Sequence, residues 1–128
     1  MLALDYGSAR CGCAISDPTE TLVSPLAALQ PPDPKAVAGL VAREGVEEVV
    51  VGLPRTLAGE EGGQAELSRA FAARLTELLD VPVTTYDERL TTRMAERSVR
   101  EGARADPDSI AAAHLLESYL AARRGANG

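Results

Sequence analysis

Two short apolar runs, each closed by a glycine, set the frame of this chain. Leu2-Ala3-Leu4 leads into Asp5-Tyr6-Gly7, and Val49-Val50-Val51 ends at Gly52. A short apolar run that stops at a glycine reads as a buried strand ending in a tight turn. The second run follows a helical segment, which places it parallel to the first. Asp5 then stands at the end of a core strand. A carboxylate is costly to bury there unless a cation or several donors meet it. Asp5 is therefore either a metal ligand or a locally satisfied structural acid.

The remaining segments arrange themselves around these two strands. Residues 1–6 read as the first strand, 10–16 as the second and Leu22 to Leu29 as the third. Their short connections predict an antiparallel meander. Pro31-Pro32-Asp33-Pro34 breaks the chain and starts a helix, with Asp33 as N-cap and Pro34 at the first position. Val37, Leu40 and Val41 give that helix its buried face, and Gly45 ends it. After Gly52 a polar, glycine-rich loop runs from Pro54 to Gly63. Leu67, Phe71, Leu75 and Leu78 then mark the buried face of an amphipathic helix that ends at Asp80. Val81 to Tyr86 reads as the last strand, delivering Asp87-Glu88-Arg89 at its end. Thr91 caps a helix to about Arg100, and Asp106-Pro107 starts a final helix to about Arg123.

A chain of 128 residues has room for one core. We expect a single domain over residues 1–124 and a frayed tail over 125–128. Aromatic residues make up only 3%, so the core must be Leu, Val and Ala. No apolar segment is long enough to cross a bilayer, and the N-terminus does not resemble a secretion signal. A cytoplasmic location is the expectation. Cys11 and Cys13 would share one face of a strand, poorly placed for a disulfide. With His114 the lone histidine, they read as small core residues rather than zinc ligands. His114 itself reads as a partly buried, satisfied side chain on an alanine-rich helix. The net charge of −6 weighs against a nucleic-acid partner unless basic residues cluster locally.

The candidate chemistry lies where strands end. If the first strand, Val49–Gly52 and Val81–Tyr86 are parallel neighbours, Asp5, Gly52-Leu53-Pro54 and Asp87-Glu88 share one edge of the sheet. Open α/β sheets place ligand sites at that edge. Adjacent residues of a strand point to opposite faces, so only one of Asp87 and Glu88 can join Asp5. Asp108, in the first turn of the last helix, could supply a third carboxylate. Three carboxylates without histidine suit a hard cation such as magnesium or manganese. Two such ions roughly 4 Å apart could clamp the attacking and leaving oxygens of a phosphodiester. The plain alternative is a turn acid, a surface acid and a helix-start acid with no common role.

Four segments carry a resemblance. Leu4-Asp5-Tyr6-Gly7-Ser8-Ala9-Arg10-Cys11-Gly12, Val51-Gly52-Leu53-Pro54, Tyr86-Asp87-Glu88-Arg89-Leu90-Thr91-Thr92 and Asp108-Ser109-Ile110-Ala111-Ala112 resemble the signature blocks of the YqgF family, in order and at compatible spacing. These are pre-16S rRNA nucleases, also described as Holliday-junction-resolvase-like. The resemblance implies an RNase H-like α/β fold, with a five-stranded mixed sheet of a three-strand antiparallel meander plus two parallel strands and helices on both faces. It implies a divalent-metal-dependent hydrolase that matures the 5′ end of small-subunit ribosomal RNA. On it, Asp5, Glu88 and Asp108 are the catalytic and metal-binding acids, with magnesium or manganese as cofactor. Asp106 is the rival for the third place, although it also fits as the N-cap before Pro107.

The implied partners are precursor ribosomal RNA, four-way junction DNA and the ribosomal subunit precursor, bound by a monomer or homodimer. Arg10, Arg55, Arg89, Arg93 and Arg97 are the candidate nucleic-acid contacts. Arg93, Arg97, Arg100 and Arg104 fall within an arc about 60° wide on a continuous helix, a basic ridge that could hold phosphates. The same residues also read as a solvated face, with Glu96 pairing Arg100. Arg10 could instead pair with Asp17 or Asp87. The chain departs from the family at Thr56 and Ala58, where Asn and Asp are common. Its segment between Arg100 and Asp108 is also short. Two other readings stay open: a resolvase for DNA junctions, and a ribosome-assembly binding factor without turnover.

Overall fold

The computed structural model describes residues 1–54, 63–88 and 107–127. Eight elements follow one another: β1 (Leu2–Tyr6), β2 (Cys11–Ser16), β3 (Val23–Leu29), α1 (Pro34–Glu44), β4 (Val49–Leu53), α2 (Gly63–Leu78), β5 (Val83–Asp87) and α3 (Pro107–Asn127). The strands form one sheet in the order β3-β2-β1-β4-β5. β1, β2 and β3 pair antiparallel, while β4 and β5 run parallel to β1. The mixed sheet with its meander is the one expected. The helix expected from Thr91 to Arg100 lies outside the described residues, as do Arg55, Arg89, Arg93, Arg97, Arg100, Arg104 and Asp106.

The pleat sorts the apolar side chains into two layers. Leu2, Leu4, Cys11, Cys13, Val49 and Val51 pack with Val37 and Leu40 of α1 and with Phe71, Ala72 and Leu75 of α2. On the other face Ala3, Ala14, Val23 and Val50 pack with Ala112, Ala113, Leu115, Leu116 and Leu120 of α3. Both cysteines are buried and free, as small core residues. The α3 face of the sheet is built from smaller side chains, which lets that helix come close.

α1 starts and stops as its caps dictate. Asp33 accepts a hydrogen bond from Lys35 N, Pro34 opens the helix, and Gly45 closes it in the left-handed region. α2 differs from the expectation. It buries Ala65, Ser68, Phe71, Ala72 and Leu75, while Leu67 is 50% exposed and Leu78 46%. The helix is turned so that its small residues meet the sheet and two leucines of the anticipated stripe face solvent. α3 runs past its expected end near Arg123. Arg123 reaches Glu48 at 3.0 Å, and Arg124 donates to the Glu20 carbonyl at 3.3 Å, which ties down its last turns. His114 is not satisfied as expected, for its Nε2 is buried without a hydrogen-bond partner. Among the described residues, no helix is long and apolar enough to cross a membrane.

Candidate active site

Sheet register decides which acid meets Asp5. Leu4 lies beside Val51, and Gly52 beside Tyr86. Counting one residue on from Leu4 and two on from Tyr86 puts Asp5, Gly52 and Glu88 on one face, the face covered by α3. Asp87 falls on the opposite face. Glu88 accordingly donates a hydrogen bond from its protonated carboxyl to the Asp5 carboxylate. Gly52 makes this possible. A Cβ there would lie 2.6 Å from Glu88 Oε1 and 3.0 Å from Leu115 Cδ2, so a side chain would evict the carboxyl.

The third acid arrives on α3. The start of this helix presses on β2 at Gly12, where a Cβ would overlap the Asp108 carbonyl and lie 2.9 Å from Ser109 N. A register irregularity between Cys11 and Cys13 accompanies the approach, and Cys13 N donates to Ser109 Oγ at 3.1 Å. The helix is thus stitched to the sheet beside Asp5, which pairs with Gly12 across β1 and β2. Asp108 stands in the first turn of α3, where the helix dipole favours negative charge. Its Oδ2 receives Arg10 Nε at 3.0 Å. The sequence offers Asp17 and Asp87 as partners, and the structure adds Asp108. Asp17 instead organises the β2–β3 turn, accepting from Thr19 Oγ1, Thr21 N and Leu22 N.

Asp5, Glu88 and Asp108 line one open pocket of about 460 Å³, together with Tyr6, Gly7, Ser8, Ala9, Arg10, Pro54 and Gln64. It sits at the carboxyl ends of β1, β4 and β5. Gln64, at the start of α2, donates from Nε2 to the Tyr6 carbonyl at 2.9 Å and closes one side. Sequence reasoning did not single out Gln64, because its role depends on where α2 begins. Among the described residues, no three Asp, Glu, His or Cys side chains stand close enough to hold one ion together. The structure joins Asp5 to Glu88 and turns Asp108 towards Arg10.

The electrostatics of the pair are those of two carboxyls held in contact. Burial raises the pKa of Asp5, the Glu88 hydrogen bond lowers it in part, and the Asp108 charge raises it again. Burial also pushes Glu88 up, to about 7 from its ordinary 4.5, with the Asp5 charge, its hydrogen bond and the Asp87 charge adding to the effect. Like charges held together out of water share a proton unless a cation replaces it. The donor set of carboxylates alone, with a proton held where a cation could sit, fits a hard divalent ion.

The family described as "RuvX: Holliday junction resolvase" matches over residues 1–122. The chain belongs to the RuvX family. This RuvX-family chain is 43% identical to a protein of Chloroflexus aurantiacus, over 97% of its own length and 88% of the relative's. It is 44% identical to one of Rubrobacter xylanophilus, over 97% and 94%. Both carry the provisional name pre-16S rRNA nuclease. The fold is similar to that of Thermus thermophilus RuvC, solved in complex with a Holliday junction substrate. The TM-score is 0.70 at 14% identity, covering 98% of this chain and 96% of that one. The four sequence blocks thus identified the family, and the RuvX-family fold carries residues of all four to the rim of one pocket. Of the candidate nucleic-acid contacts only Arg10 lies among the described residues.

Proposed function

We propose that this chain is a divalent-metal-dependent nuclease that hydrolyses phosphodiester bonds in the precursor of 16S ribosomal RNA, maturing its 5′ end in the cytoplasm. The observation that carries the reading is the shared-proton pair of Asp5 and Glu88 at the carboxyl ends of parallel strands, with Asp108 on the same pocket. Nothing in a stable fold calls for two half-buried carboxyls in contact, and their mutual repulsion is a cost that function must justify. Membership of a family whose relatives are named as RNA nucleases supplies the substrate class.

Asp5 and Glu88 are the residues that would hold magnesium or manganese, and Asp108 would join them by releasing Arg10. A bound divalent cation would act as a Lewis acid for the scissile phosphate and its attacking water. Arg10, half exposed beside Asp108, can then move its guanidinium to a phosphate oxygen, for which its planar fork is suited. In the reaction, water adds to phosphorus and the P–O bond to the leaving sugar oxygen breaks. The proton that water loses is matched by the one the leaving oxygen gains, and no covalent enzyme intermediate forms. Arg55, Arg89, Arg93 and Arg97 are proposed to hold the strand through its phosphates. The protein acts as a monomer or homodimer and engages the ribosomal subunit precursor.

A second reading, cleavage of four-way DNA junctions, draws on the description of the matching family. The deciding experiment compares wild type with Asp5→Asn on precursor RNA and on junction DNA, with magnesium or manganese. The RNA should be cut by wild type and left intact by the variant. Equal products from both proteins would end the nuclease reading, and cleavage confined to junction DNA would replace its substrate.

A further inference from the structure

Next to the acid pocket, on the other face of the sheet, lies a cleft of about 190 Å³ lined by Tyr6, Pro32, Pro34, Leu67, Ala70, Phe71 and Arg74. Tyr6 lines both spaces, so the cleft continues from the acid pocket over the carboxyl edge of β1. The Tyr6 and Phe71 rings stack with centroids 4.4 Å apart and planes 28° from parallel. In a protein with 3% aromatic residues, two of them meet here, one sequence position from Asp5. Leu67 is one of the two leucines that α2 turns out to solvent, and it forms part of this wall. Arg74 is the one charged side chain among the described residues lining the cleft.

We propose that this cleft binds an unpaired nucleobase of the substrate strand, with Arg74 on the phosphate beside it. The inference rests on the nuclease reading and extends it to the path of the strand. The partly exposed Tyr6 ring, backed by the buried Phe71, with two prolines and a leucine, offers a heterocycle stacking and apolar contact, which is how unpaired bases are held. Apart from Arg74 and the Tyr6 hydroxyl the walls carry no polar side chain, so the base edge goes unread. The cleft therefore accepts any base, and specificity must arise from the shape of the strand. It requires that base to be unstacked, which selects single-stranded over helical segments at this point. Beyond Arg74 the surface turns mixed in charge, with Lys35, Asp33 and Glu77, and the track ends.

The test is a binding measurement that does not depend on cleavage. The full chain carrying Asp5→Asn is titrated into an RNA hairpin with a short single-stranded arm, in which one 2-aminopurine is moved along the arm. Its fluorescence should change at one position counted from the end of the duplex, whichever natural base it replaces. Adding Leu67→Asn should remove that change, and Arg74→Gln should weaken binding roughly tenfold. Both residues are exposed, so neither variant threatens the fold. Leu22→Asn, at an exposed leucine away from the cleft, serves as control and should bind as its parent does. A signal spread evenly over all positions, or unchanged binding by the Leu67 and Arg74 variants, would overturn the cleft. Cleavage by wild type without a position-specific signal removes the cleft and leaves the nuclease. A position-specific signal with no cleavage under any metal supports the cleft and removes the nuclease.

Discussion

Replacing Glu88 with Gln separates the electrostatic cost of the acid pair from its use. The amide keeps the shape of the side chain and can donate to Asp5, as the protonated carboxyl does, but it cannot ionise. Glu88 has its pKa raised from 4.5 to about 7. The folded chain therefore holds this proton where the unfolded chain has already lost it. Stability must fall as pH rises from about 4.5 to about 7, and it stays low above that. The difference between the two values corresponds to roughly 3 kcal/mol. The pocket is open to solvent, so screening reduces this to about 1–2 kcal/mol. In a domain of this size that is about 4–8 °C in Tm. Thermal unfolding of both proteins in the presence of a chelator is the assay. Near pH 5 the two should melt together, and near pH 8 Glu88→Gln should melt higher by that amount. Groups that titrate elsewhere cancel in the difference. Adding magnesium or manganese at pH 8 should raise wild type and leave the variant nearly unchanged. If the difference between the proteins does not vary with pH, or if metal stabilises both alike, the paired-acid reasoning is wrong.

Three further perturbations test how the site is held. Gly12→Ala places a methyl group into the Asp108 carbonyl and should cost about 2–3 kcal/mol in urea unfolding. Cleavage should fall further than stability, since α3 carries Asp108 away with it. Leu116→Ala empties a fully buried position between α3 and the sheet. It should cost about 3 kcal/mol, read from the denaturant midpoint at unchanged slope. Asp33→Ala removes the hydrogen bond to Lys35 N at 2.9 Å and should cost about 1 kcal/mol while leaving cleavage unchanged.

Much of this protein is decided within short stretches of chain. The runs before Asp5 and Gly52 become strands because apolar residues closed by a glycine have little other choice. Asp33-Pro34 and Gly45 bound α1 because capping is a local hydrogen-bond and dihedral matter. Strand parity alone predicts that Asp87 and Glu88 face opposite ways, and the family blocks name Asp5, Glu88 and Asp108. Other features depend on how elements settle on one another. Leu67 and Leu78 fit a helical stripe as well as Phe71 and Leu75 do. Only the close seating of Ala65, Ser68 and Ala72 against the sheet shows that they lie outside it. Arg10 could reach several acids from its turn, and the approach of α3 at Gly12 hands it Asp108. The proton between Asp5 and Glu88, and the cleft behind Tyr6, belong to the same class. Periodicity and caps express interactions within one or two turns of backbone, so they can be read from order alone. The contacts of Asp5 with Glu88 and of Arg10 with Asp108 depend on distances that exist only after the layers have packed.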